Sequence, residues 1–424
     1  MIILFLPFFT LIILGVPIAI SMGFSVGLYF FVNNISISLF IQQITSGAGT
    51  FSLLALPFFI LMGLILGKGG SAKRLIDFAN SVVGFQWGGL AQVSILGSMF
   101  FAGVSGSSVA DAAGIGSILI PEMKRKGYGD VFSVAINAVS STIGIIIPPS
   151  IPMVTYAWVA QESVGKMFLA GIIPGILFGL VQFIIAYIYA RKNNYPREPF
   201  PKINTLFKNF ISAAPSLGIP IIVLGGIIIG VVTPTEAGVL AIAYGLILGI
   251  VIYRDIKIFE IFSILTDGIK YTALIMFILA TAKSFSWILA YEKVPELIMN
   301  LFNNIGAGKN IFLLFVIIFC LFLGTFIGGT SAAIILIAPV FIPVAKQFGI
   351  DIIHIGIIII STLAIGLFTP PVGTTLMISS HIGKITMEQG FKGCIPFLIV
   401  MVILILIFAY FPIVVMFLPN YLLR

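Results

Sequence analysis

Charge is scarce in this 424-residue chain: 22 Lys and Arg with 14 Asp and Glu make up 8% of it, against about 25% in a soluble domain. So few charges cannot cover a water-exposed surface, which excludes a soluble enzyme. The 60% apolar content excludes a disordered linker and points to lipid as the solvent. Cysteine is nearly absent. Cys320 and Cys394 both lie inside apolar runs, so there is no disulfide framework and no metal-ligand spacing. They read as small core residues. The two histidines, His354 and His381, stand apart from any Cys or Glu pattern, which leaves an intramembrane enzyme without a nucleophile–base pair. A basic leader and a small-residue cleavage site are both missing from the N-terminal run. The stretch from Met1 uninterrupted into Phe31 is therefore expected to be retained membrane helix, crossing twice, and not a signal peptide. The net charge of +8 is no nucleic-acid signal, because the basic residues sit in short loops between apolar runs.

Glycine (44) and proline (22) are plentiful, as membrane helices and their breaks permit. Only two Pro-Pro pairs occur, Pro148-Pro149 and Pro370-Pro371, 222 positions apart. The same offset pairs Ala19 with Ala241, Gly23 with Gly245, Gly106 with Gly328, Pro121 with Pro343, Gly144 with Gly366 and Pro174 with Pro396. Isoleucine matches are cheap in such a sequence; Gly and Pro matches held in one register are not. The pattern predicts a duplication, residues 1–190 and 212–424, joined by a polar cytoplasmic linker over 191–211.

The positive-inside rule orients the copies. Lys68, Lys73, Arg74, the run Lys124-Arg125-Lys126, and Arg191, Lys192, Arg197, Lys202 and Lys208 all belong on the cytoplasmic side. The stretch 88–123 then enters and leaves on that side, with Gly103 to Ser108 at its centre, as a re-entrant hairpin. The span 131–161 is broken at Pro-Pro. In the second copy the hairpin is 310–346 and the broken helix 352–383. About five crossings per copy, an odd number, would invert the second copy. The fold class expected is an all-α polytopic membrane protein of two inverted repeats, each with a re-entrant hairpin and a Pro-Pro broken helix.

Unwound backbone in hydrocarbon leaves carbonyls and amides unsatisfied, at several kcal/mol each. Such breaks persist where a ligand, ion or water occupies them, as in secondary transporters with their site near the midplane. The first copy offers Ser105, Gly106, Ser107 and Ser108 opposite Gly144, Ile147 and Pro149. The second offers Gly328, Gly329 and Thr330 opposite Gly366, Thr369, Pro371 and Gly373. Hydroxyls and free carbonyls with hardly any charge suit a dehydrated alkali cation, which favours two or more Na⁺ over protons. Helices that restart after each break point positive dipole ends inward, toward an anionic and expectedly carboxylate substrate. Its candidate contacts are Ser105, Asp111, Ser150, Thr330 and Thr374. Asp111 can equally bond its own hairpin arm, and Glu236 can cap a helix. Lys283, costly inside an apolar span, either snorkels or serves as a counter-ion. Trp87, Trp158 and Trp287 read as interface anchors. A stand-alone sodium–carboxylate symporter would share this logic, whereas a channel would need a continuous polar pore.

With these residues in place, the chain resembles the large membrane subunit of TRAP transporters, the tripartite ATP-independent periplasmic carriers. The resemblance runs over essentially the whole length. Its most specific stretches are Gly103 to Gly127, Thr142 to Pro152, Gly171 to Gly175, Thr233 to Gly238 and Ile365 to Gly373. It implies an elevator in the bacterial inner membrane, in which inward sodium flow drives uptake of an organic acid, of sugar-acid or dicarboxylate type. A periplasmic substrate-binding protein would deliver that acid, and a separate small four-helix membrane subunit would widen the scaffold. One departure stands out. The family usually places an acidic residue before the Thr or Ser at the second hairpin tip, where this chain has Gly328-Gly329-Thr330, and many members have Asn where it has Thr362.

Overall fold

Proline and glycine decide where the apolar runs stop. In a computed structural model that describes residues 1–48, 54–68 and 70–423, the first run is two helices, α1 (Ile2–Ile13) and α2 (Ile18–Val32). Gly15, at φ +80°, and Pro17 separate them, so the run expected to be unbroken to Phe31 is interrupted. Next come α3 (Ile37–Ala48), α4 (Ala55–Lys68) and α5 (Ser71–Val83), then the hairpin arms α6 (Gly89–Ser105) and α7 (Ser108–Arg125). Helix α8 (Asp130–Ser140) tightens into a 3₁₀ turn over Ser141–Ile145, and the chain restarts as α9 (Ile151–Ala160) and α10 (Val164–Lys192). The second half holds α11 (Ile203–Ile228), α12 (Pro234–Leu246, continued as a π turn over Ile247–Ile252), α13 (Ile258–Tyr291) and α14 (Val294–Asn304). It closes with the arms α15 (Lys309–Phe326) and α16 (Thr330–Gln347), the half-helices α17 (Ile352–Gly366) and α18 (Thr374–Gly383), then α19 (Met387–Tyr410) and α20 (Pro412–Leu422). Among the described residues, seven helices are long and apolar enough to cross a membrane, or eight if α4 and α5, bent by 68°, form one broken span.

The linker is shorter than 191–211. Helix α10 runs on to Lys192 and α11 starts at Ile203. Residues 203–211 of the expected linker lie within α11, where the Asn209 amide donates to Asp77 O (3.2 Å) and Ser81 Oγ (2.6 Å) on α5.

Two layers follow from burial. Helix α17 is buried at every position, and α8 is nearly so. Around them pack α6, α7, α9, α15, α16 and α18, with hydroxyls turned inward, such as Ser94 and Ser98 on Ser140 (both 3.2 Å). Outside lies α13, packed on α2, α3 and α4, while α12 packs on α4 and α11 on α12 and α5. Helices α13, α10 and α11 expose large apolar side chains, among them Ile184, Phe207, Ile221 and Phe262, as lipid contact requires.

Helices α7 and α16 begin 222 positions apart, at Ser108 and Thr330, and so do α8 and α17, at Asp130 and Ile352. The halves interlock. Helix α7 packs on α18, and α16 packs on α9. Lys124 pairs with Asp130 at the start of α8 (3.1 Å) and donates to Gly383 O at the end of α18 (2.7 Å). The Tyr156 hydroxyl on α9 reaches Ile352 O at the start of α17 (2.7 Å). The two broken helices therefore run antiparallel to each other.

Candidate functional site

Helix α6 ends at Gly106, whose φ of +61° a side chain would occupy only under strain. Space is short as well, since a Cβ there would lie 2.8 Å from Pro149 O. The tip is thereby pressed onto the first break, and Ile151 N donates to Gly106 O (3.3 Å). Ser107 caps α7 by accepting from Ala110 N (3.4 Å). Ser105 Oγ accepts from Ser107 N (3.2 Å) and donates to Asp111 Oδ1. Asp111 is fully buried, and its Oδ2 has no hydrogen-bond partner among the described residues. That oxygen abuts Gly144, where any side chain would collide with it. Ser108, which opens α7 three positions before Asp111, is buried. Ser150 spends its hydroxyl locally, donating to Ile145 O (2.7 Å) and capping α9 through Met153 N (3.4 Å). Ile147 lies under Gly175 of α10.

The second tip repeats the arrangement without a carboxylate among its residues. Val372 N donates to Thr325 O (3.0 Å), and Gly328 faces Val372 and Thr374, with only 3.1 and 3.0 Å left for a Cβ. Thr330 opens α16 and is buried. Thr369 Oγ1 donates to Ile365 O (2.8 Å), and Gly373, at φ +40°, lies against Thr369 O. Both Pro-Pro bonds, Pro148-Pro149 and Pro370-Pro371, are cis. Thr374 Oγ1 is buried and has no partner among the described residues. An unsatisfied buried acceptor costs about 1–3 kcal/mol. Asp111 Oδ2 and Thr374 Oγ1 are thus two buried side-chain atoms at the breaks with interactions still to make.

Each tip meets its own break, and further contacts link the two halves. Thr155 Oγ1 on α9 meets Ser331 Oγ beside the second tip (3.3 Å). Thr375 Oγ1 donates to Ala138 O (3.0 Å) and lies within reach of Leu367 O (2.9 Å). Asn137 Nδ2 bonds Ala112 O (3.0 Å) and Ser379 Oγ (2.8 Å). The available signal was a polar residue inside each apolar half-helix. Glu236 is a capping residue, closing a box with Thr233 (2.7 Å to its N–H). His354 Nε2 bonds Phe408 O (2.7 Å), and His381 is exposed, away from both tips.

Residues 5–414 match the family described as the tripartite ATP-independent periplasmic transporter, DctM component. The chain is similar to the C4-dicarboxylate TRAP transporter large permease protein of Pseudomonas aeruginosa, at 41% identity over 88% of this chain and 87% of that protein. It is also similar to the sialic acid TRAP transporter large permease protein of Vibrio cholerae (36%; 96% and 95%) and to the 2,3-diketo-L-gulonate TRAP transporter large permease protein of Escherichia coli (32%; 94% and 94%). Among solved structures, the YdaH transporter of Alcanivorax borkumensis superposes with a TM-score of 0.54 at 13% identity, over 91% of this chain and 88% of that one. At that identity the likeness speaks to fold alone.

Proposed function

Since the chain belongs to the tripartite ATP-independent periplasmic transporter family as its DctM component, we propose that it carries an organic acid across the membrane in symport with sodium, by an elevator movement. It is a multi-pass protein of the bacterial inner membrane and a transport subunit, not an enzyme. Relatives named for C4-dicarboxylates, sialic acid and diketogulonate support an acid as cargo. In this reading a periplasmic binding protein delivers the acid, and a small four-helix membrane subunit lies against the lipid-facing outer layer.

The observation that carries the proposal is the pairing of each hairpin tip with a Pro-Pro break. The first sodium site would use Ser105, Gly106, Ser107, Ser108, Gly144, Ile147 and Pro149, with the unpartnered Asp111 Oδ2 beside it. The second would use Gly328, Gly329, Thr330, Gly366, Thr369, Pro371 and Gly373. The acid would sit between them, its carboxylate facing the N-termini of α7, α9, α16 and α18, whose partial positive charge favours an anion. The antiparallel broken helices and the 222-position register support two inverted repeats, the first ending with α10 and the second beginning at α11. The interlocked inner layer would be the moving body and the layer around α13 the scaffold.

The deciding experiment is uptake of labelled C4-dicarboxylates and sialic acid into proteoliposomes, with and without binding protein and a sodium gradient. Uptake that needs both supports the proposal. Uptake indifferent to sodium would sink the coupling, and uptake indifferent to the binding protein would favour a stand-alone symporter.

A further inference from the structure

Lys283 lies near the far end of α13, two turns before Tyr291. Its stem packs on Gly47 of α3, where a Cβ would stand 2.8 Å from Lys283 Cβ. The residue is nonetheless exposed, and among the described residues it has no carboxylate or other hydrogen-bonding partner. It lines a cavity of about 110 Å³ together with Ser286, Trp158, Gln161, Ile335 and Pro339. Ser286 is one turn along the same face of α13, so an ammonium and a hydroxyl bound one side.

The cavity lies between the two layers, because α13 belongs to the outer one and α9 and α16 to the inner one. Charge bias assigns its place along the membrane. The start of α13 lies where Arg74 pairs with Asp255 (2.6 Å), at the lysine- and arginine-rich end of the molecule. Its other end lies where Tyr29 donates to Glu292, on the face with fewer lysines and arginines, which the positive-inside rule assigns to the outside. Below the cavity, Ile335 and Ser331 are one turn apart on α16, and Trp158 and Thr155 are one turn apart on α9. The seam between these helices thus leads inward to the Thr155–Ser331 contact at the second hairpin tip (3.3 Å). Ile335 stands about 6 Å along the helix from Ser331.

We propose that this cavity is an anion-receiving site on the outer face, where Lys283 takes the carboxylate of the incoming acid before it passes down the α9–α16 seam to the hairpin tips. The inference rests on the organic-acid reading above. A cation at the mouth of a path toward uncharged hydroxyls raises the local concentration of an anion and orients it, then releases it to tighter contacts. A lipid phosphate would satisfy the same ammonium, so the test separates the two sources.

In a Cys320→Ala/Cys394→Ala background, Ser286→Cys places a thiol beside Lys283. A sulfonate-bearing methanethiosulfonate added outside should react about tenfold faster than its trimethylammonium counterpart. Lys283→Gln should abolish that preference, and Lys283→Arg should retain it. Succinate or sialic acid should slow the labelling. Equal rates for the two reagents with Lys283 present would overturn the site. Labelling slowed by phosphatidylglycerol over phosphatidylcholine vesicles, yet indifferent to both acids, would assign it to lipid and overturn the substrate role. Uptake of labelled succinate and sialic acid by the unmodified transporter is measured alongside. A charge preference without uptake of either acid counts against the transport reading, while the anion site itself stands.

Discussion

Gly366 faces Gly324 backbone to backbone where α17 crosses α15: a Cβ on Gly366 would lie 2.6 Å from Gly324 Cα and from Gly324 O. No rotamer relieves such a contact, because both partners are main chain. The crossing holds the second break against its hairpin. Gly366→Ala should therefore destabilise the protein by about 1–3 kcal/mol, as overpacking does, and weaken transport with it. Thermal unfolding in detergent checks the first effect; an unchanged midpoint would show that the crossing can open without cost.

At the first tip, Asp111→Asn keeps the shape and removes the charge beside Gly144. If Asp111 Oδ2 faces a sodium ion there, sodium affinity should fall by roughly 1.5–3 kcal/mol, the scale of a charge-assisted interaction. The Ser105→Ala/Ser108→Ala double variant should lose on the order of 1–3 kcal/mol, as other lost polar partners do. Sodium titration of uptake in proteoliposomes measures both. A double variant that retained full sodium dependence would remove the first site from Ser105 and Ser108.

The second tip tests charge balance. Gly329 has room for a side chain, its nearest neighbour to a Cβ being Ala332 at 3.9 Å, and its φ of −138° is ordinary for any residue. Without a carboxylate there, sodium and acid should bind with strong mutual enhancement, by the same factor in each direction. Gly329→Asp should reduce the enhancement. Calorimetry of sodium binding with and without succinate decides the point; equal sodium affinities in the unmodified protein would refute it.

Arg125 and Lys346 end corresponding hairpins, and both are exposed. Inverted repeats place them on opposite faces. Single Arg125→Cys and Lys346→Cys variants, in the background lacking the buried Cys320 and Cys394, should label from inside and outside respectively with an impermeant thiol reagent. Labelling from one common side would end the inversion proposal.

A pH effect is expected where the linker straps the hairpin base. Burial raises the Glu198 carboxyl pKa, but hydrogen bonds from Lys126 and Asn80 outweigh it and leave the group below its usual 4.5. A depressed carboxylate stabilises the fold above its unfolded pKa, and the contribution is lost as pH falls through the folded value. The pair is part-exposed, so Glu198→Gln should cost no more than about 1 kcal/mol at pH 7. That difference should shrink steadily below pH 4.5, as paired unfolding curves would reveal; a cost independent of pH would point to packing instead.

The sequence by itself determined what local chemistry and composition control. Too little charge to face water means lipid. Pro-Pro and Gly at a fixed offset place the breaks, and Ser107 and Ser150 mark two helix starts because a hydroxyl there takes an orphan N–H. Only the tertiary structure decided which faces meet. Helix α17 is almost wholly apolar and buried all round, so it carries no stripe to say whether α15, α16 or α9 lies against a given residue. The same uniformity hid the exchange of α7 onto α18 and of α16 onto α9. The roles of Asn137, Thr155, Thr375 and Ser379 depend on partners more than 150 positions away, a separation that no spacing rule reaches. Asp111 lay between. Its place in the first turn of α7 was legible, but its bond to Ser105 and its contact with Gly144 were fixed only when the hairpin tip closed on the break.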